Sequence, residues 1–294
     1  MVTSERGDAF DPDCPTRVVL DRIGDKWTVL VIGSLEAGSL RFSELRARIG
    51  GVAPKVLTQT LRAMERDGLL TRTVHAQVPP RVDYELTSLG ASLTGPIATL
   101  TDWAETHLTQ ILGSRIAAEA TARGHQVTSL SRSTGGDLAE ASAVREAAAD
   151  HDVVVSATGP SRTGESHEPW LDAVSTLIDH AGDARVLFVG GAGSLLTPDG
   201  TRLLDTDGFP PEYRGEATSG AAALELFRAA PDSLDWTFVS PAPVIAPGER
   251  TGSYATSLDT PAGDFISAED YAVVLLDEIE EPRHRRQRFT AAAA

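Results

Sequence analysis

The sequence predicts two domains of different fold class: an α+β domain of short helices closed by a β-hairpin, then an α/β domain with a truncated parallel sheet. Apolar residues recur at helical spacing as far as Gly68, and two strand-like runs then flank a Val-Pro-Pro turn. From Gly113 onward, helices and strands alternate. We therefore divide the 294 residues into domains at 1–112 and 113–294.

Composition indicates an ordinary globular protein, with 41% hydrophobic and 23% charged residues. No apolar run approaches the ~20 residues that a membrane span needs, and the N-terminus has no signal-peptide core. We therefore expect a cytoplasmic protein without a membrane partner. One cysteine excludes an intramolecular disulfide framework. Because His151, His167 and His180 lack the spacing of metal ligands, no metal site is predicted.

Charge is unevenly distributed along the chain, whose net charge is −16. Residues 1–108 have a net charge of −2 and the remaining residues one of −14, yet the segment 41–82 has a net charge of +5. A basic segment in an acidic protein is a candidate polyanion-binding surface. It could equally be a solvated, salt-bridged face, and charge alone leaves both interpretations open.

The first domain is predicted element by element from its periodicity. Three short helices, each ended by glycine, are PTRVVLDRIG, KWTVLVIGSLEAG and RFSELRARIG. A fourth helix, GVAPKVLTQTLRAMERDG, presents Lys55, Thr58, Gln59 and Arg62 opposite its apolar face. The strands LLTRTVHAQ and RVDYELT form the hairpin, and a longer helix interrupted at Gly95-Pro96 follows. This order is that of a winged helix-turn-helix, whose polar helix enters the DNA major groove.

Several motifs in this half support a family resemblance. They are Cys14-Pro15, Gly24-Asp25-Lys26-Trp27, Arg41-Phe42-Ser43-Glu44-Leu45, Leu57-Thr58 with Leu61-Arg62, and Pro79-Pro80-Arg81-Val82 with Tyr84. Residues 13–110 thereby resemble the HxlR-type winged-helix transcriptional regulators. The resemblance implies a homodimer that binds double-stranded DNA. It places Lys55, Thr58, Gln59 and Arg62 at bases and nearby phosphates, Arg41 and Ser43 at the backbone, and Arg72 and Arg81 on the wing.

Cys14 is a candidate redox sensor, because some regulators of this family sense oxidants through a cysteine at this position. A helix start and Arg17 favour the reactive thiolate, whereas Asp11 and Asp13 oppose it. A sensing role and a structural role both remain open.

The second domain alternates helices with strands, which predicts a Rossmann-like fold with helices on both faces of the sheet. The predicted helices are SRIAAEATARG, DLAEASAVREAAAD, HEPWLDAVSTLIDHA, ATSGAAALELFRAA and SAEDYAVVLLDEIEE, and the predicted strands are HQVTSLS, DVVVSATG, RVLFVGGAGS, DWTFVSPA and RQRFT.

The runs VLFVGGAGS, TFVSP, PGERTG, ISAEDYA and RQRFT in this half resemble the NmrA-like, atypical short-chain dehydrogenases. The resemblance implies an NAD(P)-binding domain, with NADP or NAD as candidate cofactors. Arg132, at a predicted strand end, could meet the 2′-phosphate of NADP. Gly159, Gly190, Gly191 and Gly193 lie at strand ends, where open α/β sheets bind ligands.

The start of this domain departs from the family pattern. Such domains open with an apolar strand and a loop GATGxxG, whose glycines let the pyrophosphate approach a helix N-terminus. Only the last glycine, Gly113, is present, preceded by HLTQIL, and no room is left for a third strand after Arg132. Three accommodations are open: residues 106–112 form a substitute strand, the other strands close up, or a dimer partner fills the gap.

No catalytic residue is assigned, and an enzymatic role is not expected. The chain's only lysines, Lys26 and Lys55, lie in the first domain, which excludes the Tyr-Lys mechanism of short-chain dehydrogenases. Tyr213 could still act as an acid or be a packing or loop residue. Ser194 could hydrogen-bond a substrate or cap a helix. We expect a sequence-specific regulator whose degenerate second domain senses a small-molecule or dinucleotide effector, or supports the dimer. The alternatives are an NAD(P)H-dependent flavin or quinone reductase with a DNA-binding module, and a fusion whose second half is partly unfolded.

Overall fold

The computed structural model describes residues 8–11, 13–75, 81–161 and 165–294. The chain forms two compact units, Met1–Ala104 and Glu105–Ala294, called unit 1 and unit 2 below. The Val-Pro-Pro turn of the predicted hairpin lies outside the described residues. In the described part of the chain, no helix is long and apolar enough to cross a membrane.

Unit 1 contains the predicted short helices and both predicted strands. Its elements are α1 (Thr16–Ile23), α2 (Lys26–Leu35), β1 (Leu40–Arg41), α3 (Phe42–Ile49), α4 (Pro54–Arg66), β2 (Leu70–His75), β3 (Arg81–Leu86) and α5 (Ser88–Ala91), and α6 (Thr94–Ala122) then continues into unit 2. Gly95-Pro96 does not interrupt α6, because Pro96 lies in the first helical turn, where backbone N–H groups have no intrahelical acceptor. The break falls before Thr94 instead.

One core holds the elements of unit 1 together. The side chain of Asp25 caps α2 by accepting a hydrogen bond from Thr28 N at 2.9 Å, and Pro54 begins α4, where its fixed φ suits the first helical position. The antiparallel sheet has the order β1-β3-β2. The largest fully buried side chains in this core are Ile32, Leu45, Leu57, Leu61, Met64 and Leu70. Because α4 buries only one face, its opposite face is left at the surface.

Unit 2 is an α/β fold. After α6 its elements are α7 (Ala141–Asp150), β4 (Val153–Ser156), α8 (Glu168–His180), β5 (Arg185–Val189), α9 (Arg214–Arg228), β6 (Trp236–Pro241), β7 (Val244–Ala246), β8 (Tyr254–Ser257), β9 (Phe265–Ser267), α10 (Ala268–Glu280) and β10 (Gln287–Ala293). The main sheet has the order β4-β5-β6-β10-β8, and β7 pairs separately with β9. All pairs are parallel except β8 with β10, which confirms the predicted class.

The core of unit 2 lies on both faces of this sheet. Phe188, Phe227 and Phe238 pack together on one side, with ring centroids 5.0–6.0 Å apart. On the other side Tyr271 is fully buried and donates a hydrogen bond to Val239 O at 2.6 Å. The packed sheet places the carboxyl ends of β4, β5 and β6 at one edge of the unit, as the fold requires.

The strand predicted at residues 125–131 is wrong. These residues follow α6 without forming a strand, and Val127 and Leu130 are 41% and 49% exposed. A strand exists by exchanging hydrogen bonds with a neighbour, and the first strand that would supply that neighbour is missing. The main sheet therefore begins at β4.

The prediction that residues 106–112 form a substitute strand, one of three alternatives for the missing first strand, is also wrong. These residues lie in the middle of α6. Leu112 and Ile116 are buried in the same core as Tyr271, with Leu108 packed against that core. In this chain, α6 occupies the sequence positions at which the family pattern has its first strand and its glycine loop.

Candidate functional site

The outward face of α4 carries the predicted DNA-reading residues. Lys55, Gln59 and Arg62 are exposed, and within the described part of the chain they make no hydrogen bond or ion pair. Thr58 is half-buried, and its hydroxyl donates to Pro54 O at 2.7 Å. Since helical residues three or four apart share a face, the side chains project together from α4. They remain predictions as base and phosphate contacts.

The start of α3 carries the two residues predicted to meet the DNA backbone. Ser43 is exposed in the first turn of α3, and Arg41 N donates to Glu44 Oε2 at 2.7 Å. Arg41 is exposed, with its Nε 4.0 Å from Asp83 Oδ1. Both side chains stay predictions as phosphate contacts, and Asp83 competes for Arg41.

The two arginines predicted on the wing differ. Arg72 is exposed on β2 and has no ion pair among the described residues. Arg81 on β3 donates from Nε to Asp83 Oδ1 at 2.8 Å, and His75 Nε2 lies 2.9 Å from Asp83 Oδ2. The hydrogen bond from Arg81, followed by that from His75, holds the pKa of Asp83 below its usual value. Asp83 lies one residue beyond the basic segment 41–82, so the charge count missed a carboxylate that neutralises part of the patch.

A shallow cleft beside α4 adds residues that sequence reasoning did not assign. Arg22 and Arg66 line it together with Trp27, Gln59 and Arg62. Arg22 Nε is 2.6 Å from Asp67 Oδ2, and Arg66 Nε is 3.8 Å from Asp67 Oδ1. These two arginines are thus each paired with the carboxylate of Asp67. The sequence position of Arg66 beside Asp67 already suggested its pairing, whereas nothing in the sequence pointed to the pairing of Arg22.

Cys14 is half-buried ahead of α1. Its Sγ lies 3.3 Å from the hydroxyl oxygen of Thr16, and the hydrogen bond between them lowers the pKa of the thiol. The pKa of the thiol is therefore lowered by a hydrogen bond with Thr16, and not by the charge of Arg17 as expected. Redox sensing by Cys14 stays a prediction.

The loop position of the dinucleotide-binding pattern falls inside α6. Counted back from Gly113, the two other glycine positions of GATGxxG are His107 and Gln110. Gly113 keeps one function of the final glycine, since a Cβ there would lie 3.4 Å from Ala157 Cβ and the helix can pack closely on the chain after β4. The N–H of Gly113 serves the helix ladder, as in any uninterrupted α-helix.

The other predicted glycines mark close packing. A Cβ at Gly190 would lie 1.9 Å from Phe238 Cε1, one at Gly193 2.6 Å from Ala217 Cβ, and one at Gly159 3.2 Å from Thr109 Cγ2. A Cβ at Gly191 would meet open space. Arg132 is exposed in a short 3-10 turn. These residues do not fit a dinucleotide, because the free helix N-terminus that would hold the pyrophosphate is absent at Gly113.

A histidine contact at the carboxyl ends of the strands was missed by sequence reasoning. His167 Nδ1 lies 2.7 Å from Ser219 Oγ, and His167 Nε2 lies 2.8 Å from Ser161 O. Both ring nitrogens are thereby used in joining the segment after β4 to α9. Ser194 is also a structural contact, since its hydroxyl accepts from Arg288 Nη1 at 3.2 Å. Among the described residues, no group of three or more His, Cys, Asp or Glu could hold a metal ion.

Two family models match the chain in succession. Residues 22–112 match the HxlR-like helix-turn-helix, and residues 111–282 match the NAD(P)H-binding family. The HTH-type transcriptional regulator YtfH of Escherichia coli is 43% identical over 111 residues, which are 38% of this chain and 88% of YtfH.

Similarity in the second half involves other proteins. YwnB of Bacillus subtilis is 38% identical over 199 residues, covering 62% of this chain and 93% of YwnB. The crystal structure of a Burkholderia pseudomallei protein is 43% identical, with a TM-score of 0.56, over 62% of this chain and 94% of that one. These relatives of the two halves are separate proteins.

Proposed function

Because the chain belongs to the NAD(P)H-binding family and carries an HxlR-like helix-turn-helix before that domain, we propose that it is a sequence-specific, DNA-binding regulator of transcription. The observation that carries this proposal is the outward face of α4, where Lys55, Gln59 and Arg62 are exposed and have no partner within the described residues. Glutamine and arginine recognise adenine and guanine edges, and lysine and arginine neutralise phosphates. The name of YtfH, an HTH-type transcriptional regulator, supports the same function.

We propose that the regulator acts as a homodimer, in the cytoplasm where its DNA lies. Helix α1 has no buried residue, although Val18, Val19 and Leu20 are apolar. Apolar residues clustered at a surface mark an interface, and a two-fold dimer would place two copies of α4 on two half-sites. We therefore propose that α1 packs against a second copy of this chain.

In this proposal, unit 2 regulates DNA binding, either by binding a small-molecule effector or by supporting the dimer. This proposal assigns it no reductase chemistry. In support, α6 leaves no helix N-terminus for a pyrophosphate at Gly113, and unit 2 has no lysine for the Tyr-Lys mechanism. No step of the proposed function passes through NAD or NADP.

Selection from a pool of random DNA duplexes tests the proposal. We expect enrichment of a palindrome whose half-sites lie about one helical turn apart. In fluorescence anisotropy with the selected duplex, Gln59→Ala and Arg62→Ala should each weaken binding about 10- to 100-fold and relax the preference at one base position. Arg145→Ala, which removes an exposed positive charge from unit 2, is the matched control. The absence of an enriched sequence, or an equal loss with Arg145→Ala, would contradict the proposal.

A further inference from the structure

We infer that unit 2 has lost the dinucleotide site of its family, because α6 runs through the position of the phosphate-binding loop. The matched family is named for NAD(P)H binding. We infer that this chain, although it belongs to that family, does not bind the dinucleotide. The inference concerns unit 2 alone and does not depend on the proposed DNA binding.

Two residues account for the change from loop to helix. In the pattern GATGxxG the chain retains Thr109 and Gly113, but His107 and Gln110 stand at the first two glycine positions. Glycine suits a phosphate loop because it adopts backbone conformations closed to other residues, and it weakens a helix for the same reason. Histidine and glutamine are both better helix formers than glycine. Their presence makes residues 106–112 compatible with a helix.

The resulting helix removes the donors that would bind phosphate. A pyrophosphate binds at a helix N-terminus because the first four N–H groups there have no intrahelical acceptor and carry the positive end of the helix dipole. Helix α6 begins at Thr94 and continues without interruption to Ala122. The N–H groups after Gly113 therefore donate to carbonyls one turn earlier. No free donors remain where the family would hold phosphate.

Side chains of α6 also occupy the space at the strand end. Thr109 Cγ2 lies only 3.2 Å from the position that a Cβ of Gly159 would take, so the helix lies directly on the segment after β4. Leu112 and Ile116 are each 5% exposed. A nucleotide could enter here only if these side chains left the core, which apolar burial opposes.

Charged contacts hold this part of α6 in place. Arg115 Nε lies 2.9 Å from Glu269 Oε1 at the start of α10. Glu119 accepts from Arg250 Nη2 at 2.7 Å and from Arg123 Nε at 2.8 Å. These contacts stabilise α6 as a helix. We therefore infer that unit 2 supports α6 where its relatives would bind a cofactor.

Titration of the full-length protein with NADPH and NADH tests the inference. Isothermal calorimetry and nicotinamide fluorescence should show no saturable binding up to about 1 mM cofactor, and the unfolding temperature should not shift. Saturable binding at micromolar concentration would overturn the inference. Amide hydrogen exchange of β5 and β6 is measured on the same sample. Slow exchange shows that unit 2 is folded, and unprotected strands would also overturn the inference, which requires the packed fold.

A pair of double variants tests the part assigned to His107 and Gln110. His107→Gly with Gln110→Gly restores the glycine positions of the family, and His107→Ala with Gln110→Ala is the matched control that keeps good helix formers. The glycine pair should speed amide exchange over residues 107–115 by about tenfold or more relative to the alanine pair, with β5 and β6 unchanged. Equal exchange rates in the two variants would contradict the assignment.

Discussion

Asp83 is the carboxylate that contacts the basic surface of unit 1 at the hairpin. It accepts hydrogen bonds from Arg81, lies beside His75, and is within 4.0 Å of Arg41. A guanidinium held by a carboxylate has fewer donors to offer a phosphate. Arg81 and Arg72 therefore differ in availability, although their positions in the hairpin gave them the same predicted role.

Asp83→Asn is expected to tighten DNA binding. The amide has the shape of the carboxylate but no charge, so Arg81 becomes free to contact a phosphate. We expect affinity for the selected duplex to rise roughly threefold to tenfold, and the slope of log K against log salt to steepen by about one. Anisotropy titrations at several salt concentrations measure both quantities.

Asp102→Asn is the matched control for that experiment. It removes an equal charge from unit 1 at an exposed residue that has no partner in the described part of the chain. The slope of log K against log salt should not change in this variant. An Asp83→Asn protein that behaved like Asp102→Asn would show that Arg81 gains no phosphate contact.

At the scale of elements, α6 belongs to both units. Ile97, near its start, is buried in the core of unit 1, and Ile116 is buried in the core of unit 2. Glu119 is the centre of its charged contacts, and the hydrogen bond from Arg250 is the main cause that lowers the pKa of Glu119 to about 2. A carboxyl whose pKa is depressed in the folded state stabilises that state as long as it remains ionised.

Glu119→Gln should therefore destabilise unit 2 in a pH-dependent manner. Near neutral pH we expect a loss of about 2 kcal/mol in the free energy of unfolding, the size of a hydrogen bond to a charged group. The pKa of the Glu119 carboxyl is 4.5 in the unfolded chain and about 2 in the folded protein. The carboxylate therefore stabilises the folded state fully at pH values above 4.5. This stabilisation is lost as the pH falls toward about 2, the pKa of Glu119 in the folded protein. Thermal unfolding from about pH 7 to about pH 3 should show the gap between variant and wild type narrowing.

Glu146→Gln provides the comparison for the Glu119 variant. Glu146 is exposed on α7 and makes no hydrogen bond or ion pair within the described residues. Its replacement should leave the unfolding curve within about 0.5 kcal/mol of wild type. A similar effect from both substitutions would mean that net charge, rather than the contacts of α6, is responsible.

For the whole molecule, the proposed dimer depends on α1. Val19 is 58% exposed in a helix without a buried residue, so a charge placed there has little to disturb in the isolated protomer. Val19→Asp should convert the proposed dimer to a monomer, because a desolvated carboxylate at the interface has no partner. Sedimentation equilibrium measures the mass, and the selected palindrome should lose affinity in parallel.

Val244→Asp is the control for the dimer prediction. Val244 is 55% exposed in unit 2 and is apolar like Val19. Its replacement should leave the dimer mass unchanged. A wild-type protein that sedimented as a monomer at every concentration would contradict the proposed dimer directly.

Periodicity and glycine stops in the sequence were sufficient to predict α1 to α4, the hairpin strands of unit 1, and the alternation of helices and strands in unit 2 from α7 onward. They were sufficient because apolar spacing reports which face of an element is buried, whatever it packs against. The missing glycines before Gly113 and the absence of lysine after Lys55 were likewise visible in the sequence. These features determined the fold class of each unit and limited the chemistry of the second.

Only the tertiary structure decided the fate of residues 106–112 and 125–131. Both segments have local sequences compatible with strands, but a strand needs a neighbour to exchange hydrogen bonds. Packing of Leu112 and Ile116 against the core of unit 2 favours a helix in the first segment, and the second is then left without that neighbour. The pairing of His75 with Asp83 across the hairpin was decided in the same way. Arg81 and Asp83, by contrast, are two residues apart on β3 and share a face through strand periodicity alone. Contacts between distant residues, or across a hairpin, depend on geometry that local periodicity does not contain.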